Sequence, residues 1–578
     1  MESGSTASGV PVPIPGGGAA TGGEDKGLRK GTLGLLSLVV IGVSSTAPGY
    51  SIAATLGFLI AIVGVQSPAV MMIAFVPMLF IAYAYRELNS VVPDCGTTFT
   101  WATKAFGPIT GWMGGWGIIA ADVIVMASLA QIAGSYGFLL VGADGLAAST
   151  FWVTVVGVIW IVVLTYISYR GIEVSARLQY LLLVVEIIAL VIFAIVALFD
   201  VYTGRAPTTA VDPSLAWFNP LKIGSVSEFS AAVLLAVFIY WGWDTAVAVN
   251  EESDDAKRTP GRAAVISTVL LLAIYAVVSV AAISYSGPGA ISGSDDVLGA
   301  LGNEVLGTTL GKIVIFAVLT SAAASTQTTI LPTARTTLSM AAYEALPPSF
   351  AKIHPKYLTP SVSTIVMGVV SIAFYVGLVL VSSTVLSDSA SAVGLLIAFY
   401  YGLTGFTCAW VFRKNWGSSA REFCVRILLP LLGGIMLLGA FVKTAIDDYN
   451  PANSDSSLTI FGQHIGGIFL ISVGSLLLGV VLMFITKWRS PGFFAGEVLS
   501  RETFVAPLTL EPTEGLPVLP DSMSQEVLVE PPRSVEELRE LEEEERETHH
   551  DHGSTQNGTH DSAHDSTAGE GEPPPPSS

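Results

Sequence analysis

Twelve apolar runs dominate the chain, at about residues 33–64, 67–89, 107–141, 150–169, 175–199, 228–250, 263–285, 309–331, 361–381, 390–412, 424–444 and 463–487. Roughly 20 apolar residues cross a bilayer as a helix, and no soluble core hides so many runs of that length. With 51% hydrophobic residues in 578 and a mean hydropathy of +0.64, the sequence predicts an all-α polytopic membrane protein with twelve transmembrane helices. The first run is too long for a cleaved signal peptide and is expected to be retained.

Charge placement predicts the orientation, because Lys and Arg concentrate in cytoplasmic loops. With twelve spans, nineteen Lys and Arg between Lys26 and Arg489 fall on the side of the termini, against Arg205, Lys222, Lys312 and Lys443 on the other. Both termini are therefore expected in the cytoplasm and the chain in the plasma membrane. The net charge of −19 comes mostly from residues 490–578, where twenty Asp/Glu face four Arg (20 − 4 = 16 negative charges). That acidic tail has a disordered composition. Ser534 and Glu537 have capping-box spacing, so a short helix is expected at 534–547. It reads as a solubilising tail or as a docking helix for a cytoplasmic partner. Residues 1–27 are expected to be disordered, leaving 28–489 as the membrane domain. Cys95, Cys408 and Cys424 lie at cytoplasm-facing helix ends, where thiols stay reduced.

The first run is interrupted by "SSTAPG". Pro48 lacks an N–H and its ring clashes with the carbonyl of Ser44, so the helix is expected to break between Ser44 and Tyr50. A break bares N–H groups that suit a carboxylate, and lipid tolerates them only where protein or water surrounds them. A simple kink is the plainer reading. The sixth run repeats the device in "FIYWGWDTAVAVNEES", with Gly242 and Asp244 between Trp241 and Trp243. Paired interruptions at matching positions of two five-helix halves point to an inverted-repeat transporter with its site at mid-membrane.

Several motifs resemble the amino acid–polyamine–organocation (APC) superfamily permeases. "ELNSVVPDCGTTFTWATKAFGPITGWMGGW" is similar to the family's segment after the second span, "NEESDDAKRTPGRAAVIS" to that after the sixth, and "TARTTLSMAAYEALPPSFAKIHPKYLTP" to that after the eighth. The likeness covers about residues 28–489. It implies a 5+5 inverted-repeat (LeuT-like) core plus two C-terminal helices. It also implies that Ser44, Ser45, Thr46, Ala47, Gly49 and Tyr50, with Tyr240, Trp241, Gly242 and Asp244, surround the substrate's head group. Many relatives carry a Gly-Ser-Gly-like turn where this chain has "SSTAPG", a departure at the usual α-carboxylate pocket.

Three acidic residues lie inside the apolar runs, where ionisable groups mark functional sites. Asp122 either pairs with a substrate ammonium or bonds structurally to a neighbouring helix. Asp244 gates or steadies the sixth break, or contacts substrate. Glu186 falls where some proton-coupled relatives carry lysine. Deprived of water, a carboxyl there can exchange a proton during transport, ligate sodium with hydroxyls of Ser325 and Thr326, or simply bond to another helix. Close helix packing also accounts for the hydroxyl run from Thr320 to Thr329.

The expectation is a secondary active transporter for amino acids or related amines, most simply proton-coupled uptake by alternating access. A polyamine or organocation antiporter, a sodium-coupled symporter, a sensor and a channel are the alternatives. The apolar runs contain no nucleophile triad, Walker loop or metal cluster, so neither an enzyme, a cofactor, a metal nor a nucleic-acid partner is expected.

Overall fold

The computed structural model describes residues 25–499 apart from 295, 416, 418 and 461. Of the expected tails at 1–27 and 490–578, residues 1–24 and 500–578, including the helix at 534–547, lie outside the described residues; within the second, Pro491–Ala495 forms a short helix. In chain order the helices that frame the site are α1 Leu35–Ser45, α2 Pro48–Val63, α3 Ser67–Val91, α4 Thr98–Phe106, α5 Pro108–Leu140, α6 Thr150–Arg170, α7 Ile172–Tyr202, α8 Val226–Ile239, α9 Thr245–Ala248 and α10 Thr259–Ser286. They continue with α11 Val297–Ala342, α12 Ser361–Val381, α13 Ser383–Val411, α14 Leu429–Asp448 and α15 Gly467–Arg489. A two-stranded antiparallel hairpin, β1 Ser457–Ile460 and β2 Gln463–Gly466, joins the last two in the register Ser457 opposite Gly466.

Among the described residues, ten segments are long and apolar enough to cross a membrane. The chain is thus a multi-pass membrane protein. Three of the expected twelve runs do not stand as separate long segments. The first two, 33–64 and 67–89, merge into one 57-residue segment, Leu35–Val91. The sixth, 228–250, ends its regular helix at Ile239, because the Gly242 region cannot continue it.

Lipid supplies no hydrophobic drive between helices, so contact depends on small side chains and internal hydrogen bonds. α13 meets α14 through such residues: a Cβ on Gly405 would lie 2.6 Å from the Pro430 carbonyl oxygen, and one on Gly434 3.1 Å from that of Gly402. α11 is the central post, packed on α2, α5 and α7. From Val314 to Ala341, only Phe316 lies outside the buried class. Several of its hydroxyls are satisfied one turn back on their own helix, as Thr328 Oγ1 is by Ala324 O at 2.9 Å and Thr337 Oγ1 by Thr333 O at 2.8 Å. The apolar outer face is carried by residues such as Ile159 on α6 and Phe484 on α15, 54% and 61% exposed.

Candidate functional site

The two helix breaks touch each other. α1 stops at Ser45, Thr46 and Ala47 carry the chain across, and α2 restarts at Pro48. Proline suits this first helical position, where an N–H would have no partner anyway. Ala47 takes a left-handed conformation, φ +47°. On the other side α8 stops at Ile239 and α9 starts at Thr245, with Gly242 at φ +117°. Ser45 Oγ and Thr245 Oγ1 are 2.9 Å apart. A Cβ on Gly242 would lie 2.7 Å from the Ser45 carbonyl oxygen, so the close approach and the backbone angle both require glycine.

The amides bared at the start of α2 are already engaged. Gly49 N–H donates to Glu186 Oε1 at 2.7 Å, Tyr50 N–H donates to Ser321 Oγ at 3.1 Å, and the Ser321 hydroxyl donates to the same Oε1 at 2.7 Å. A carboxylate is what a helix N-terminus attracts, and here α7 supplies it from within the chain. Glu186 Oε2 is buried with no hydrogen-bond partner. The Thr46 hydroxyl donates to Val43 O at 2.6 Å and the Ser51 hydroxyl to Thr46 O at 2.7 Å, while Ser44 Oγ is buried and unpartnered.

The trio of Glu186, Ser325 and Thr326 expected for a cation is arranged differently. Ser325 donates to Ser45 O at 2.9 Å, and Thr326 spends its hydroxyl on Ala322 O at 2.7 Å. The hydroxyl at Glu186 comes from Ser321, one turn before Ser325 on the same face of α11. An i, i+4 reading of the hydroxyl run would have found it.

Asp244 accepts hydrogen bonds from Tyr401 at 2.8 Å and Tyr400 at 3.2 Å, and the Tyr400 hydroxyl in turn accepts from Trp241 Nε1. This tyrosine pair on α13 went unread in the sequence, although "FYYG" is an unusual polar spot in an apolar helix. The aromatic residues at the sixth break pack on rings of other helices: Tyr240 sits edge-on to Tyr275 at 5.1 Å, and Trp243 lies 5.2 Å from Tyr85 and 5.1 Å from Tyr401. Tyr50 OH reaches Ser128 Oγ at 3.4 Å. Asp122 accepts from the Thr333 hydroxyl of α11. From Ser44 to Thr245, no residue named at the breaks exceeds 8% exposure.

At the end of the molecule where α3 meets α4, the chain's first described residues form a strap. Thr32 N–H donates to Glu252 O at 2.9 Å, Gly31 N–H to Ser253 O at 3.3 Å and Asp254 N–H to Leu33 O at 3.1 Å. Lys26 Nζ bridges Asp94 Oδ2 at 2.8 Å and Glu251 Oε1 at 2.5 Å, its side chain 6% exposed. Beside it Arg335 grips Glu252 with two bonds of 2.9 Å. Burial works against the Asp94 charge, but the Lys26 ammonium and the hydroxyls of Thr100 and Ser339 hold its carboxyl below the usual range. Burial likewise works against the Lys26 charge, and Asp94 and Glu251 outweigh it, raising its pKa. Asp94, Cys95 and Glu251 bring potential metal ligands within 4.8 Å of one another; the ammonium of Lys26 already fills the gap between the two carboxylates.

Broken helices joined at their breaks, on a multi-pass scaffold, belong to membrane carriers rather than to enzymes. The amino acid permease family model matches residues 33–471, and the chain belongs to that family: it is a transporter. It is 29% identical over 341 residues to an uncharacterised transporter of Mycobacterium tuberculosis, covering 58% of this chain and 72% of the relative. It is 23% identical over 435 residues to the serine/threonine exchanger SteT of Bacillus subtilis, covering 73% and 93%. The low-affinity putrescine importer PlaP of Escherichia coli is 23% identical over 453 residues, covering 77% and 94%.

Proposed function

We propose that the chain is a secondary active transporter that imports a small amine-bearing solute, an amino acid or a related amine, with proton coupling through Glu186. The observation that carries this reading is the contact of the two breaks, with Glu186 seated on the amides of α2. A carboxylate that leaves an amide end when protonated and returns when ionised ties proton occupancy to the position of that half-helix. Relatives named as a serine/threonine exchanger and a putrescine importer support an amine-bearing substrate. So does the charge at the site. Glu186, Asp122 and Asp244 are each buried, and among the described residues no Lys or Arg ion pair is formed with any of them. Buried charge without a partner is costly, and a cationic substrate with a coupling proton supplies what is missing.

The 57-residue segment Leu35–Val91 is long enough for two crossings, and α8 with α9 makes one more between them. On this reading there are twelve crossings, the first ten forming two inverted repeats of five that rock about the breaks. Both termini face the cytoplasm of a cell whose plasma membrane holds the protein. A second reading, sodium in place of the proton, is favoured by Glu186 Oε2, an oxygen without a partner beside Ser321.

The test is uptake of a radiolabelled panel of amino acids and amines into proteoliposomes under imposed proton or sodium gradients. Accumulation of an amine-bearing solute driven by the proton gradient is expected. Accumulation driven by sodium alone replaces the proton reading, and binding without accumulation refutes transport coupling altogether.

A further inference from the structure

On the lipid-facing flank, α6 and α12 part to leave a groove of about 290 Å3. Its walls are Val162, Ile365 and Val369, which are 52%, 49% and 60% exposed, so the groove opens sideways into the bilayer. At its floor the helices come together where Gly368 faces Thr165; a Cβ on Gly368 would lie 2.5 Å from Thr165 Oγ1. That hydroxyl is buried and has no hydrogen-bond partner.

One mouth of the groove is basic. Tyr169, on the groove wall, meets the His354 ring at 5.2 Å and the Tyr357 ring at 5.7 Å. The Arg170 guanidinium stands 5.6 Å from the Tyr166 ring and 5.2 Å from the Tyr357 ring, and donates one N–H to Tyr166 OH at 2.8 Å. Lys356 Nζ lies 5.7 Å from the same Tyr357 ring. Among the described residues neither cation has an acidic partner; Glu173, the nearest acid in sequence, pairs with Arg29 at 3.0 Å. A guanidinium has five N–H donors, so most of those on Arg170 are free to bind an anion.

We propose that this groove is a binding site for an anionic phospholipid, its phosphate on Arg170 and Lys356 and an acyl chain between α6 and α12. Charge complementarity selects the occupant. A zwitterionic lipid fills the groove but carries its own cation to the basic mouth, whereas basic pockets between membrane helices take anionic head groups.

The experiment uses the purified full chain in phosphatidylcholine nanodiscs doped with phosphatidylglycerol, the protein-retained lipids being quantified by mass spectrometry after detergent extraction. The wild type is expected to retain phosphatidylglycerol in preference to phosphatidylcholine. Each of Arg170→Gln and Lys356→Gln should lower that preference about fivefold, as removal of one phosphate contact predicts, while Arg170→Lys keeps most of it. Val369→Trp, which fills the groove, should lower retention of phosphatidylglycerol even with the cations intact. Equal retention of the two lipids by the wild type, or unchanged retention in Val369→Trp, overturns the proposal. Complete displacement of the lipid by inorganic phosphate overturns it too, since the site would then hold phosphate without a chain.

Discussion

Gly49 N–H donates to Glu186 Oε1 across 137 residues of sequence at 2.7 Å, so the half-helix that restarts after the first break is capped by a side chain of α7. Replacing that acid by Gln keeps an acceptor oxygen at the amides and removes the titration. Proton-driven uptake by Glu186→Gln should fall at least about tenfold, equivalent to about 1.4 kcal/mol, while substrate exchange at equal pH persists. Uptake in proteoliposomes with and without a protonophore measures both, and an unaltered response to the gradient removes Glu186 from coupling.

Asp244 is held by two tyrosines at unequal distance, 2.8 Å from Tyr401 and 3.2 Å from Tyr400. Tyr401→Phe leaves one carboxylate oxygen short of a buried donor, a loss of about 1–3 kcal/mol. It should lower transport more than Tyr400→Phe does. The comparison is of initial uptake rates at matched protein levels, and equal losses would mean that the pair acts only as packing.

Asp122 bonds to Thr333. Asp122→Asn keeps the oxygen that accepts from Thr333 but loses the negative charge. Its binding of cationic amines should weaken several-fold more than its binding of neutral amino acids in a competition assay. Equal weakening would assign Asp122 to the scaffold.

Gly242→Ala places a methyl 2.7 Å from the Ser45 carbonyl oxygen at a φ of +117°. Such strain costs on the order of 1–3 kcal/mol before the clash is counted. The variant should reach the membrane yet show little uptake and a lowered melting temperature in detergent. Wild-type rates would show that the breaks need not touch.

Removing the Lys26 ammonium leaves Asp94 and Glu251 buried without their counter-charge, a change worth about 3–5 kcal/mol for a buried pair. In a Cys408→Ala/Cys424→Ala background, Lys26→Ala should speed labelling of Cys95, which is fully buried in the strapped state. The pH dependence follows in sign. The lowered Asp94 carboxyl contributes stability that is complete above the ordinary Asp value of about 3.9 and is lost as pH falls below it. The raised Lys26 contributes stability that is complete below about 10.4 and is lost as pH climbs past it. Labelling should therefore stay slow across the neutral range in the wild type, and fast labelling at pH 7 would show that the strap does not close over Cys95.

Much of this was legible in the residues themselves. Pro48 and Gly242 announce their breaks through backbone chemistry alone, and the breaks fall between Ser45 and Pro48 and between Ile239 and Thr245. What a linear reading misses is partnership across the bundle. Ser321 and Tyr401 look like ordinary helix residues until α7 brings Glu186, and α8 with α9 brings Asp244, beside them. Thr326 shows the opposite case, a hydroxyl that spends its hydrogen on its own helix backbone at Ala322 O. Lys26 was read as an orientation charge on the chain's polar lead-in, and its acids arrive only from residues 94 and 251.

The pairing of Lys26 with Glu251 also sets an order of manufacture. A ribosome adds about 5–20 residues each second, so the 225 residues between these partners take on the order of ten to forty seconds to appear. Throughout that interval α1 is held without this fastening, and the permease closes its strap only once Glu251 has been delivered.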